Sequence, residues 1–185
     1  VEESQKAVAK MEVIIGDPDR LRAVAEDFIK HYETRVAEGA TVAGKAMFVC
    51  SNRNIAYDFY KIVKELRPEW TEKKICDDGV VLSEKDKKEL KPMEKIKLVM
   101  TRNKDDEKDL FDMLGTKEDR KEFDRQFKNP KSNFKIAIVV DMWLTGFDVP
   151  ELDTIYIDKP IQQHTLIQTI SRVNRVCEGK DKGWI

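Results

Sequence analysis

Ile136-Ala137-Ile138-Val139-Val140 decides the fold of this 185-residue chain. These are five apolar residues without alternation, a pattern typical of a strand that is covered on both faces of a parallel sheet. Residues 46–50 and 96–100 have a similar character, and 155–157 is a shorter apolar run. Apolar residues at helical spacing fill the segments between these runs. The alternation of strands and helices predicts an α/β fold with a mostly parallel central sheet.

Helix boundaries are predicted from capping residues. Asp17-Pro18 is a typical helix start, because Asp can cap the first turn and Pro fits the first helical position. Gly39 is expected to end this helix, and a second helix is expected between a Ser51-Asn52 cap and Pro68. The remaining expected elements are a strand at 11–15 and helices at 105–114, 117–127 and 162–176.

Charge is abundant but balanced. Charged residues make up 37% of the chain and the formal net charge is −1, which argues against a basic nucleic-acid-binding tail or an acidic tail. Residues 71–133 hold 33 of the 69 charged residues. We therefore expect a highly solvated surface insertion there, with a partner-docking surface as the alternative.

Several site and location classes are disfavoured. The three cysteines are far apart, without a C-x-x-C pair, and no H-E-x-x-H motif is present, so a disulfide framework and a zinc site are not expected. This cysteine usage predicts a reducing, cytoplasmic location. No apolar run approaches the ~18 residues that a membrane span requires, so no membrane partner is expected. The final Gly183-Trp184-Ile185 resembles the start of another strand, which predicts that the chain is a piece of a longer protein.

Phosphate-binding residue types follow three of the predicted strands. Ligands of open parallel sheets bind beyond the carboxyl ends of the strands. Hydroxyls, amides and arginines at such an edge suit phosphate oxygens, although Ser51 and Asn52 could serve only to cap a helix. The residues at this edge are Ser51, Asn52 and Arg53 after the first strand, Thr101 and Arg102 after the second, and Thr145, Gly146 and Asp148 after the third.

The predicted helix at 162–176 carries a polar stripe. Gln168, Arg172 and Arg175 stand at i, i+4 and i+7, opposite an apolar stripe that would pack on the sheet. Two arginines one turn apart make a rigid, permanently charged fork for phosphate, and the alternative is a solvated basic face. Neither G-x-x-x-x-G-K-[ST] nor G-x-G-x-x-G is present. Arginines placed for phosphate, in a chain without a Gly-rich phosphate-binding loop, suggest that the chain contributes half of a phosphate-binding site.

These residues resemble a known family. Gln168-Thr-Ile-Ser-Arg172-Val-Asn-Arg175 is similar to motif VI of superfamily 2 helicases and translocases, and Thr145-Gly-Phe-Asp148-Val-Pro150 resembles motif V. Ser51-Asn52-Arg53 with its strand resembles motif IV. The sequences S-R-V-N-R, L-T-G-F-D-V-P and L-D-T-I-Y-I-D-K-P resemble the R (motor) subunit of type I restriction enzymes in particular. The opening M-E-V-I-I-G-D-P-D-R-L resembles the linker into that subunit's second motor lobe.

The resemblance implies the second RecA-like lobe of an ATP-driven double-stranded DNA translocase. Residues 1–45 would be a linker and leading helix, and 46–185 a three-layer RecA-like lobe with a charged insertion at about 71–133. ATP and Mg²⁺ would bind between this lobe and a first lobe of the same chain, and modification and specificity subunits would complete the complex. The isolated chain would be inactive.

The resemblance also implies a role for each site residue. Arg172 and Arg175 would be arginine fingers, and Gln168 would contact the nucleotide or couple it to motif V. Asp148, with Gly146, would link the DNA loop to the ATP site. The expected DNA-backbone contacts are Ser51, Asn52, Arg53, Thr101, Arg102, Thr145 and Gly146.

Two alternatives remain open from the sequence. One is the corresponding lobe of another superfamily 2 motor, such as an RNA helicase or a repair translocase, which would share motifs V and VI. The other is a non-catalytic nucleic-acid-binding module built on the same sheet. A small-molecule enzyme with a dinucleotide fold is disfavoured, because the Gly-rich turn is missing.

Overall fold

A computed structural model describes residues 2–143, 149 and 151–160 of the chain. The predicted helix at 162–176 lies outside the described residues. In chain order, the elements are α1 (Glu2–Ile15), α2 (Pro18–Ala37), β1 (Lys45–Cys50), α3 (Arg53–Leu66), a short 3-10 helix (Pro68–Thr71), β2 (Lys73–Lys74), α4 (Glu84–Glu89), β3 (Met93–Glu94), β4 (Ile96–Leu98), α5 (Lys108–Leu114), α6 (Lys117–Lys128), β5 (Ile136–Val139) and β6 (Leu152–Asp158).

The central sheet has four strands in the order β4-β5-β1-β6, and every neighbouring pair is parallel. Ile136 of β5 stands opposite Ala46 of β1 on one side and Ile96 of β4 on the other. Every residue of β1 and β5 is buried. The apolar runs at 46–50 and 136–140 therefore form the two inner strands, the run at 96–100 forms β4 at one edge, and the predicted α/β fold with a parallel sheet is confirmed.

Helices cover both faces of the sheet, which gives three layers. Phe48 of β1 points into a core with α2 and α3, where its ring stacks on Phe59 at a centroid distance of 3.9 Å. Met47, the preceding residue, points to the opposite face and packs in a second core with Phe127 of α6. Successive side chains of a strand alternate between faces, so burial on both faces requires a continuous apolar run. This arrangement is the one expected of a RecA-like lobe.

Helix α2 begins and ends as its sequence predicts. The Asp17 carboxylate accepts a hydrogen bond from the Arg20 backbone N–H at 3.0 Å, and Pro18 is the first helical residue. Gly39, one residue past the C-cap, has a φ of +66°, a left-handed conformation that glycine adopts without steric cost. Helix α3 likewise begins at an Asn52 cap.

The predicted strand at 11–15 is wrong, because these residues form the last turns of α1. The preceding stretch, Glu2–Lys10, is rich in Ala, Glu, Lys and Gln, which favour helix. The apolar run continues that helix, and among the described residues no strand pairs with it. None of the residues of α1 is buried, so local propensity decides its conformation.

The charged segment 71–133 contains surface elements and one strand of the main sheet. Lys73 pairs with Glu94 in a short antiparallel ladder between β2 and β3, and α4 and α6 each begin with a capping box. Strand β4 lies within the same segment but is buried and paired with β5. The boundary at 45/46 and the extent of the insertion remain predictions.

Candidate functional site

The carboxyl ends of the four parallel strands meet at one edge, as expected for the candidate site. Ser51, directly after β1, donates a hydrogen bond from its Oγ to the backbone oxygen of Asp158 at the end of β6, at 3.3 Å. The Asn52 side chain accepts from the Ile55 backbone N–H at 2.9 Å, so it caps α3. Ser51 therefore connects the ends of β1 and β6. Asn52 caps α3, which is the role that the sequence analysis named as the alternative to a phosphate contact.

Arg53 brings the end of β1 to the loop that follows β4. One terminal nitrogen of its guanidinium donates to both oxygens of the Asp106 carboxylate, at 2.7 and 2.8 Å, and the other donates to the backbone oxygen of Thr101. Asp106 also accepts from the Asn103 backbone N–H at 2.6 Å. Burial opposes ionisation of Asp106, but these hydrogen bonds and the Arg53 charge outweigh it, and the pKa of Asp106 lies below its ordinary value.

The loop after β4 also carries Arg102, whose guanidinium carbon lies 4.1 Å from the centre of the Phe111 ring on α5. A cation–π contact of this kind holds the guanidinium in place and leaves its edge available for hydrogen bonds. The backbone oxygen of Thr101 is the Arg53 acceptor, and the residue itself is exposed. The structure thus brings Arg53 of α3 against the loop that carries Thr101 and Arg102.

Arg20 is a residue of this edge that the sequence analysis missed. Its guanidinium donates to both oxygens of the Asp158 carboxylate, and one nitrogen also donates to the Ile15 backbone oxygen at 2.8 Å. The hydrogen bond to Asp158 raises the pKa of Arg20. These contacts fasten the junction of α1 and α2 to the end of β6. No local signal could have found the pair, because its two members are 138 positions apart.

Lys159, directly after β6, contacts the residues that follow β5. Its Nζ donates to the Asp141 carboxylate at 2.9 Å and to the Val140 backbone oxygen at 3.2 Å. Like Arg20 and Arg53, it is a cation that is paired with a carboxylate at this edge. The described part of the edge is therefore positively charged at several points, and most of these charges are already paired.

An arginine or lysine that is paired with a carboxylate can bind a phosphate instead. The planar carboxylate and the tetrahedral phosphate are both oxyanions, and they accept hydrogen bonds from the same N–H donors. A phosphate at this edge would thus compete with Asp106, Asp141 or Asp158. Within 2–143 and 151–160, no group of three His, Cys, Asp or Glu side chains is placed to hold a metal ion. In the same residues, no helix is both long and apolar enough to span a membrane.

The other predicted site residues lie outside the described residues, and their roles remain predictions. They are Thr145, Gly146 and Asp148 of the motif V-like segment, and Gln168, Arg172 and Arg175 of the motif VI-like segment.

Comparisons with known proteins show the family of the chain. Residues 42–185 match the model of the family described as type I restriction enzyme subunit R domain 3. The chain is 36% identical over 181 residues to the type I restriction enzyme HindI endonuclease subunit of Haemophilus influenzae, covering 98% of the chain and 15% of that protein. It is 37% identical over 185 residues to the putative type I restriction enzyme MjaIXP endonuclease subunit of Methanocaldococcus jannaschii, covering 100% of the chain and 15% of that protein.

The chain thus spans about 15% of the length of these curated relatives. The matched range includes the sheet from β1 onward and both motif-like segments. On this match, the chain belongs to the family of domain 3 of the type I restriction enzyme R subunit.

Proposed function

We propose that this chain is the second motor lobe of an ATP-dependent double-stranded DNA translocase, within the R subunit of a type I restriction endonuclease. The observation that carries the proposal is the family match over 42–185, because this range contains both the motif V-like and the motif VI-like segments. The parallel sheet with its arginine-bearing carboxyl edge supports it. The family match also disfavours the RNA-helicase alternative.

In this proposal, ATP and Mg²⁺ bind mainly to a first lobe elsewhere in the same chain. The described residues do not fit ATP by themselves: they contain neither a Gly-rich phosphate loop nor a cluster of three acidic or imidazole groups for Mg²⁺. What this lobe would contribute is cationic. Arg172 and Arg175 would act as arginine fingers, with Gln168 beside them and with Gly146 and Asp148 linking the nucleotide site to DNA.

The carboxyl edge of the sheet would contact the DNA backbone. Arg53 and Arg102 stand on or beside one loop, and Ser51 lies at the neighbouring strand end. Guanidinium and hydroxyl groups bind phosphate oxygens without reading bases, so binding would be independent of sequence and would weaken steeply with salt. Site recognition would belong to the specificity and modification subunits.

The arginine fingers are tested in the intact R subunit within its complex. Arg172→Ala and Arg175→Ala are expected to lower DNA-stimulated ATP turnover by about 10³-fold or more, because the lost charges act on the transferring phosphoryl group. Lys variants should restore little of the turnover, since an ammonium does not reproduce the planar bidentate contact of a guanidinium. Arg22→Ala, an exposed arginine of α2, is the control and should keep normal turnover. Near-normal turnover in both Ala variants would show that the stripe is only a solvated basic face.

The assignment of ATP binding to another lobe has a separate test. The isolated chain should not hydrolyse ATP, with or without DNA, because it lacks the phosphate cradle. DNA-stimulated hydrolysis by the isolated chain would contradict the assignment of ATP binding to another lobe.

A further inference from the structure

A second cationic cluster lies at the opposite edge of the sheet, where the strands begin. Lys95 directly precedes β4 and Lys135 directly precedes β5. Because Ile96 and Ile136 are partners in the parallel ladder, the two lysines stand side by side, and the Lys135 backbone N–H donates to the Lys95 oxygen at 2.9 Å. Both line a cavity of about 360 Å³.

The walls of this cavity come from several elements. Tyr32 and Val36 of α2, the loop at 41–44, Asp77 and Pro130 complete the lining. The Tyr32 hydroxyl donates to the Gly44 oxygen at 2.8 Å, which holds the loop against the helix. The Thr41 Oγ1 accepts from the Gly44 N–H at 2.9 Å, so its own proton remains available to a ligand.

The Lys95 ammonium makes no hydrogen bond or ion pair with the described residues. Its ammonium instead lies 5.4 Å from the centre of the Tyr32 ring and 5.2 Å from that of Trp70. Aromatic faces attract a cation but accept no conventional hydrogen bond from its three N–H donors. Lys95 is half-buried, and burial lowers its pKa. A partly desolvated cation with free donors favours an anionic partner.

Lys135 adds a second positive charge to the cavity. Its side chain is only 7% exposed, and its Nζ lies 3.5 Å from Asp77, a carboxylate that is itself half-exposed. The nearby Glu33 and Glu69 carboxylates both face Arg67, at 2.7 and 4.0 Å. Two ammonium groups therefore share one carboxylate within the cavity.

We propose that this cavity binds a phosphate group, bridged by the Lys95 and Lys135 ammonium groups with the Thr41 hydroxyl as a third donor. A phosphate has enough oxygens to accept from all three, and Lys is a common phosphate ligand as a point charge. The phosphate comes either from a small phosphorylated molecule or from a nucleic-acid backbone. The site lies at the opposite edge of the sheet from Ser51, Arg53 and Arg102 and does not depend on them.

Residue-resolved lysine labelling tests this site in the intact R subunit. The wild-type protein is treated with an acetylating reagent, with inorganic phosphate or with chloride at equal ionic strength, and each lysine is quantified by mass spectrometry. Phosphate is expected to reduce labelling of Lys95 several-fold, because the bound anion covers the ammonium and favours its protonated, unreactive form. Lys85, whose side chain is 80% exposed, serves as the internal control and should not change.

A parallel arm replaces phosphate with a short DNA duplex. Protection of Lys95 by phosphate supports a small ligand, and protection by the duplex alone supports a backbone phosphate. No protection by either, or equal protection of Lys85, would overturn the proposal. The readout is specific to Lys95, so the result is independent of whether Arg172 and Arg175 act in ATP hydrolysis.

A variant gives a second measurement. In calorimetric titrations with inorganic phosphate, Lys95→Met should weaken the affinity at this site about tenfold, because one charge-assisted contact is lost. Met keeps the apolar stem against the aromatic rings, and Lys85→Met is the matched control. Where phosphate protects Lys95 from labelling, unchanged phosphate affinity of a folded Lys95→Met protein would also overturn the proposal.

Discussion

The Arg53–Asp106 pair makes a sharp prediction about DNA binding. If Arg53 contacts a DNA phosphate, Asp106 competes for the same guanidinium, because both of its oxygens accept from one Arg53 nitrogen at 2.7 and 2.8 Å. Asp106→Asn removes the competing charge and keeps the shape of the side chain. We therefore expect Asp106→Asn to bind DNA more tightly, and Arg53→Ala to bind it more weakly.

The size of the effect follows from the exposure of the pair. A unit charge about 4 Å from a phosphate contributes about 1 kcal/mol in water and about 4 kcal/mol at an effective dielectric constant of about 20. The Arg53 side chain is 30% exposed and that of Asp106 is 8% exposed, which places the pair between these limits. We expect a change of about 1–2 kcal/mol, or about 5- to 30-fold in Kd.

Fluorescence anisotropy of the intact R subunit on two unrelated duplexes, over a range of salt concentrations, measures this effect. One additional phosphate contact should steepen the dependence of log K on log salt by about 0.9, equally on both duplexes. Asp112→Asn is the matched control, because Asp112 pairs with Lys108 in solvent and the change in net charge is the same. Weaker binding by Asp106→Asn would refute the competition and show that Asp106 positions Arg53 instead.

Three further predictions concern stability and titration. Phe59→Ala should lower the free energy of unfolding by about 3–5 kcal/mol in urea titrations, since its fully buried ring stacks in the core; a loss below about 1 kcal/mol would contradict that packing. Gly115→Ala should destabilise more than Gly39→Ala in thermal melts, although both have positive φ, because only at Gly115 would a Cβ come within 2.8 Å of the carboxylate that closes the α6 capping box; equal losses would refute the clash. Hydrogen bonds from Lys131 and Ser83 lower the pKa of Asp86 to about 2, so its contribution to stability is present above its ordinary pKa and is lost as pH falls through about 2. Lys131→Met should raise the pKa of Asp86 in an NMR titration, and an unchanged value would contradict the Lys131 contact.

The strands and capped helices could be predicted because their causes are local. The apolar run at 136–140 has one stable environment, a strand covered on both faces, and the Asp17 and Asn52 caps act within three residues of themselves. The strand predicted at 11–15 failed for the complementary reason. Strand formation needs a partner, and the sequence does not show whether a partner strand lies nearby.

The sequence by itself determined the α/β alternation, the parallel sheet and the residue types at its carboxyl edge. Only the tertiary structure decided which charges at that edge are paired. The Arg53–Asp106 and Arg20–Asp158 contacts span 53 and 138 positions, and they form because parallel strands bring distant chain segments to one edge. The same strand register sets Lys95 beside Lys135, since their neighbours Ile96 and Ile136 are paired. Charge pairing depends on distances of a few ångströms, and residue spacing along the chain does not encode them.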